Sequence, residues 1–236
     1  MLGKSFFITE SHNPDLPPET YDELVYENTT AGNYSASLSW GKYKIVISGA
    51  GGGGAAAGWN ESSGTRYAEN GHQGAVKTVY VSIFHNDTLT INGIIGAGGG
   101  GARARARHIN YNVAGSGGTG YQNGANGQIQ QAIYELIDGP SIEGVTSGGG
   151  GGGSTSVEWN NTVQDIAAGG DGGTARQSHY HIWGYGGTGG SGGTTTGTGA
   201  AGGIGDATYG NDQQNGTAGS NGYIRIYKSN LMPEPI

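Results

Sequence analysis

Cysteine is absent from the 236 residues, which excludes disulfide staples and thiolate metal sites but leaves the compartment open. Phenylalanine occurs three times and methionine twice, and only 33% of the chain is conventionally hydrophobic, so a large oily core is excluded. Charge is also scarce, at 12% of residues, and the formal net charge is −7. Six acids against Lys4 in residues 1–40 account for −5 of it. A nucleic-acid surface is therefore not expected. No apolar run is long enough for a membrane span or a signal peptide, because Phe6-Phe7-Ile8 is soon followed by His12, Asn13 and Pro14.

Glycine fills the space these absences leave. Residues 41–222 hold 50 of the 52 glycines, with dense runs at 49–54, 96–101, 148–153 and 184–193. Glycine loses more backbone entropy on ordering than any other residue, so such a segment is either disordered or built on the missing side chain. Nine of the fourteen tyrosines, three of the four tryptophans and several Val/Ile runs lie in the same segment, a composition unlike that of a disordered linker. Residues 184–193 read as Gly-x-Gly triplets without proline, a period that fits a left-handed three-residue helix and excludes collagen. Helices of this type make no internal hydrogen bonds, so buried copies must pair with one another. The alternative is that the runs are flexible loops, since 148–153 has no third residue to mark a period.

Strand patterns frame the runs. In Lys42–Ser48, Tyr43, Ile45 and Ile47 share a face, and further strands are expected at 75–84, 88–95, 130–137, 154–159 and 223–228. Asn86-Asp87 reads as a tight hairpin turn, and the strands at 42–48 and 223–228 are candidate neighbours. The expected fold is mainly β: a small antiparallel unit combined with a bundle of polyglycine-II-like helices and loops. Residues 1–40 form an acidic, proline-containing arm, 41–228 the glycine-rich domain and 229–236 a tail. Within the arm, residues 19–27 are expected to form one short helix after Pro17-Pro18, with Tyr21, Leu24 and Val25 as apolar attachment contacts.

Gly41-Lys-Tyr-Lys-Ile-Val-Ile-Ser-Gly-Ala-Gly-Gly-Gly-Gly54, Leu89-Thr-Ile-Asn-Gly-Ile-Ile-Gly-Ala-Gly-Gly-Gly-Gly101 and Asn215-Gly-Thr-Ala-Gly-Ser-Asn-Gly-Tyr-Ile-Arg-Ile-Tyr227 together resemble the glycine-rich domains of bacteriophage tail proteins. The resemblance covers roughly 41–228. It implies a polyglycine-helix sandwich, location in the virion, and exposed loops that touch a bacterial surface receptor, either a glycan or an outer-membrane protein. It also implies contact of the amino-terminal arm with other virion proteins and admits a homotrimer, although no heptads require one. A purely structural virion component, such as a head fibre or capsid decoration, is the rival reading. Ice binding through Thr194–Thr198 is a further one.

Aromatic and polar clusters between the glycine runs are the candidate receptor contacts: Trp59 and Tyr67; Arg107, His108 and Tyr111; Tyr121 and Asn123; Tyr180, His181, Trp183 and Tyr185. Such residues bury area at low entropy cost and offer hydrogen bonds, although each ring could instead plug the end of the glycine bundle. Alternation in Arg103-Ala-Arg-Ala-Arg107 directs three arginines to one side of a strand. His179 and His181 would share a strand face, but a third metal ligand, His108 or Asp171, must come from elsewhere, and no metal or cofactor is expected. No adjacent acid pair suited to hydrolysis, no Gly-x-Ser-x-Gly elbow with credible strand context and no phosphate loop with its lysine is present, so no catalytic activity is expected.

Overall fold

Alternation in Gly41–Ser48 (β3) sends Tyr43, Ile45 and Ile47 into the interior, where they are almost fully buried, while Lys42, Lys44 and Val46 remain partly exposed. In the computed structural model, which describes residues 17–59, 66–84, 87–104, 112–136, 139–177, 182–184, 186, 206–207 and 214–233, β3 is central in a four-stranded antiparallel sheet. Tyr223–Lys228 (β17) lies on one side of it and Val76–Ile83 (β6) on the other. The expected pairing of the 42–48 and 223–228 strands is thus observed, in register from Ser48↔Tyr223 to Tyr43↔Lys228.

Glu23–Asn28 (β1) completes this sheet by pairing with β17. The helix expected at 19–27 is not formed there. Tyr26 packs on the core and Glu27 receives Arg225 Nε at 2.7 Å, so partnership across strands overrides local helix preference. Gly32–Leu38 (β2), Leu89–Ile95 (β7), Thr155–Trp159 (β11) and Thr162–Ala167 (β12) form a second four-stranded sheet in the order β12-β11-β7-β2. The tight turn expected at Asn86-Asp87 is closed by the Asp87 amide donating to the Phe84 carbonyl at 3.1 Å, but it joins no hairpin, because β6 and β7 belong to different sheets and pair with β3 and β2 respectively. Asn86 itself lies outside the described residues. The two sheets face each other through Tyr43, Ile45, Ile47, Ile224 and Ile226 on one side and Leu38, Ile91, Ile95 and Val157 on the other. This is the hydrophobic core, and it is a β-sandwich.

Smaller sheets stand beyond the glycine runs. Ala56–Trp59 (β4), Ile129–Leu136 (β9), Gly139–Ser147 (β10) and Asp206–Ala207 (β15) form one in the order β15-β4-β10-β9. Arg66–Ala68 (β5), Ala175–Gln177 (β13) and Ile182–Gly184 (β14) form another, and Arg103–Ala104 (β8) pairs with Gln214–Asn215 (β16). The mainly β, antiparallel character expected from the sequence therefore holds, with no helix among the described residues. The bundle of polyglycine-II helices is not among the assigned elements, since the glycine segments carry neither helix nor strand.

Those segments are nonetheless bonded in a regular way. In 49–55, the amides of Gly49, Gly52 and Ala55 donate to the carbonyls of Ala75, His72 and Glu69. Ala50 and Gly53 donate to Gly153 and Gly150, and Gly51 and Gly54 to Ser220 and Thr217, all at 2.8–3.1 Å. Successive amides thus address three different neighbours and return to the first after three residues. Residues 148–154 repeat the pattern: Gly148, Gly151 and Ser154 donate to Gln128, Ala125 and Gln122, Gly149 and Gly152 to Gly173 and Gly170, and Gly150 and Gly153 to Gly100 and Ala97. The segments 49–55, 96–102, 122–128 and 168–174 run away from the sandwich, and 69–75, 113–120, 148–154 and 216–222 run back to it.

Burial explains the composition of each segment. Residues 49–55 and 148–154 are buried along their whole length and contain only Gly, Ala and Ser. In 216–222, by contrast, glycine recurs at 216, 219 and 222, and Thr217, Ala218, Ser220 and Asn221 face solvent. A period is visible where one side is open, and it disappears where neighbours stand on every side. That is why the run at 148–153 shows no period, and the flexible-loop alternative does not describe it.

Candidate functional site

The far end of the glycine segments collects the short strands. Trp59 and Arg66, Ala104 and Asn112, and Gln177 and Ile182 lie in or beside three of the sequence clusters singled out above, and all of them follow outgoing segments or precede returning ones. In the three-stranded sheet, Arg176 of β13 is in register with Tyr67 of β5 and with Trp183 of β14. The Arg176 guanidinium carbon stands 4.7 Å from the centre of the Tyr67 ring, which is 44% exposed. A cation–π contact at an exposed site contributes roughly 0.5–1 kcal/mol, which biases the ring toward this orientation by only a few-fold. Trp59 belongs to β4, which pairs with β10. Structure therefore places Tyr67 and Trp183 on the two outer strands of one sheet and adds, on the strand between them, Arg176, whose sequence context offered no pattern to single it out.

Tyr121 and Asn123 are elsewhere. They lie at the turn between the 113–120 and 122–128 segments, at the sandwich end, and so do not join the distal row. Asn123 Oδ1 accepts the Gly120 amide at 3.0 Å and closes that turn. Tyr121, 41% exposed, lines an open groove of about 550 Å³ on the outer side of the β2-containing sheet. Asn33 and Ser35 reach this groove from β2 because alternation buries Tyr34 and Ala36 on the opposite face. Asn92 and Ile94 line it from β7, and Glu158 from β11.

Along the groove β7 and β11 pair as a ladder at a single position, Asn92↔Glu158, and the Gly93 backbone runs close against the Ser156 carbonyl. Beyond that pair side chains replace the ladder bonds: Ile94 N–H donates to Ser156 Oγ at 3.2 Å and Gly96 N–H to Thr155 Oγ1 at 3.0 Å. Tyr34 fills the floor, its hydroxyl donating to the Ser156 carbonyl at 2.9 Å. Burial pushes the Tyr34 phenol well above its ordinary value, aided by Tyr26 and Glu158, so it stays a neutral donor. The alternation of polar and apolar residues over 33–36 was the signal available for Asn33 and Ser35, whereas the replacement of ladder bonds by Ser156 and Thr155 side chains leaves no sequence mark.

Arg107, His108, Tyr111, Tyr180, His181 and Tyr185 lie outside the described residues, as do Thr194–Thr198. The described part of the arginine alternation behaves as expected, with Arg103 exposed between buried Ala102 and Ala104. Among the described residues no group of three His, Cys, Asp or Glu side chains is placed to hold a metal. Of the attachment residues, Leu24 and Val25 are exposed on the edge strand β1, and Tyr21 packs edge-on against Tyr80 at 5.4 Å. No protein-family model matches the chain, and neither does any curated protein.

Proposed function

We propose that this chain is a virion-associated receptor-binding protein of a phage tail or fibre, and that its glycine segments are polyglycine-II-type helices which hold recognition loops away from the sandwich. The observation that carries this reading is topological. Outgoing and returning segments alternate along the chain, so three of the four aromatic clusters are flanked by residues at the one end remote from the hydrophobic core. The three-residue step of the hydrogen bonds supports the helix type, whose rise of about 3.1 Å per residue makes each seven-residue segment a strut of roughly 20 Å. Loops on such a rigid base can vary without disturbing the core. The exposed edge of β1, with Leu24 and Val25, suits attachment to other virion proteins, and the bacterial receptor would be a glycan or an outer-membrane protein.

The test is binding of the fluorescently labelled chain to intact bacteria that the parent particle infects. Saturable binding that falls at least about tenfold in folded Tyr67→Ala, Arg176→Ala and Trp183→Ala variants supports the adhesin reading. Absence of binding to every such strain, with a stoichiometric place in the particle, moves the assignment to a structural virion component.

A further inference from the structure

We propose that the groove between β2, β7 and β11 is a second binding site, specific for a short neutral oligosaccharide, at the sandwich end of the molecule and separate from the distal row. It is independent of the adhesin reading and would hold for a structural virion protein too. The residues are those that recognise a sugar. A pyranose offers an apolar C–H face and a rim of hydroxyls, so its site needs one exposed ring beside converging donors and acceptors. Tyr121 supplies the ring. The side chains of Asn33, Ser35 and Asn92 supply amide and hydroxyl groups on the open face of the sheet, and Glu158 a carboxylate that can accept hydrogen bonds from two hydroxyls.

Size and charge narrow the ligand. A volume of about 550 Å³ is within the usual range for small-molecule sites and, being open, accommodates part of a chain instead of a single enclosed ring. The ion pairs among the described residues are Lys42–Glu19, Lys77–Asp165 and Arg225–Glu27, and none of them includes Glu158. A carboxylate on the groove wall, in a chain of net charge −7, repels sialylated, uronic or phosphorylated sugars. The floor is fixed in advance, because Tyr34 and Ser156 are already bonded to each other and β7 is tied to β11 through Ser156 and Thr155.

The experiment is an amide NMR titration of the full chain with neutral trisaccharides of glucose, galactose, mannose and N-acetylglucosamine, beside sialyllactose. At least one neutral trisaccharide is expected to shift the amides of Asn33, Ser35, Asn92 and Tyr121 while leaving Tyr67 and Arg176 unmoved. Tyr121→Ala should weaken that binding at least about tenfold and Tyr121→Phe much less. The Tyr121 backbone amide bonds to Ser154 whatever the side chain, so the turn is kept in both variants. Glu158→Gln should narrow the preference for neutral over sialylated sugar. The proposal is overturned if no neutral trisaccharide shifts the groove amides at about 10 mM, where even weak glycan sites fill. It is equally overturned if folded Tyr121→Ala binds as well as the parent, or if sialyllactose binds as tightly as the neutral sugars.

Discussion

At the scale of single residues, a glycine here is required by what stands beside it. A Cβ placed on Gly53 would fall on the carbonyl oxygen of Gly100, and one on Gly149 would fall on that of Gly53. Neither neighbour can yield, since both are backbone held by hydrogen bonds on other sides. Gly53→Ala is therefore expected to cost at least about 3 kcal/mol, as overpacking without relaxation does, while Ala218→Ser on the solvent side of its segment stays within about 0.5 kcal/mol. Denaturant unfolding of the two variants checks this directly, and equal stabilities would contradict the close-approach account. The same contrast explains how glycine frequency was legible before the structure while its geometry was not. Counting shows that glycine is used, but only the neighbours show which of its faces must be bare.

At the scale of elements, the strands with strong alternation were legible in the sequence nearly to the residue: 42–48, 75–84, 88–95, 130–137, 154–159 and 223–228 correspond to β3, β6, β7, β9, β11 and β17. β1 was not, because its strand state comes from β17 and from the Glu27–Arg225 contact. β12 was missed although Asn160-Asn161, both at positive φ, mark the turn that leads into it. Tyr121 was legible as an exposed ring, but its distance from the other clusters depends on the path of the whole chain. The approach to β1 carries its own prediction. Glu19 Oε1 accepts from Tyr21 and Ser229, each at 3.0 Å, and stands 3.5 Å from Lys42, tying the start of the described chain to residues after β17. Burial raises the Glu19 pKa, but the bonds from Tyr21 and Ser229 and the charge of Lys42 outweigh it and leave it below the ordinary carboxylate value of 4.5. A depressed folded-state pKa contributes stability above the unfolded value and loses it as pH falls through the folded one. Glu19→Gln should therefore flatten the loss of stability between about pH 5 and pH 3, measured by thermal melts across that window. An unchanged acid slope would show that the clamp does not couple to folding.

At the scale of the whole molecule, the sandwich and the glycine segments have complementary weaknesses. Ordering a residue's backbone costs about 1–2 kcal/mol, and a net hydrogen bond returns only about 0.5–1.5 kcal/mol, so no glycine segment is stable by itself. Hydrophobic burial is concentrated in the two facing sheets, whose strands enter the segments directly: β3 leads into 49–55, β7 into 96–102, and 216–222 into β17. The far end is thus held in place from the sandwich through continuous chain and shared bonds, and the two regions should unfold as one unit. Ile45→Ala removes a fully buried side chain from the sandwich and should cost about 2–5 kcal/mol. Native-state hydrogen exchange then separates the possibilities. If the coupling holds, protection of the Gly53 and Gly150 amides falls by the same free energy as that of Ile226 in the sandwich, while Gly124 and Gly127, whose segment has exposed residues between its glycines, exchange faster in parent and variant alike. Unchanged protection at Gly53 and Gly150 beside a weakened Ile226 would mean that the glycine segments hold without the sandwich, and that some of their stability comes from outside the hydrogen bonds and core described above.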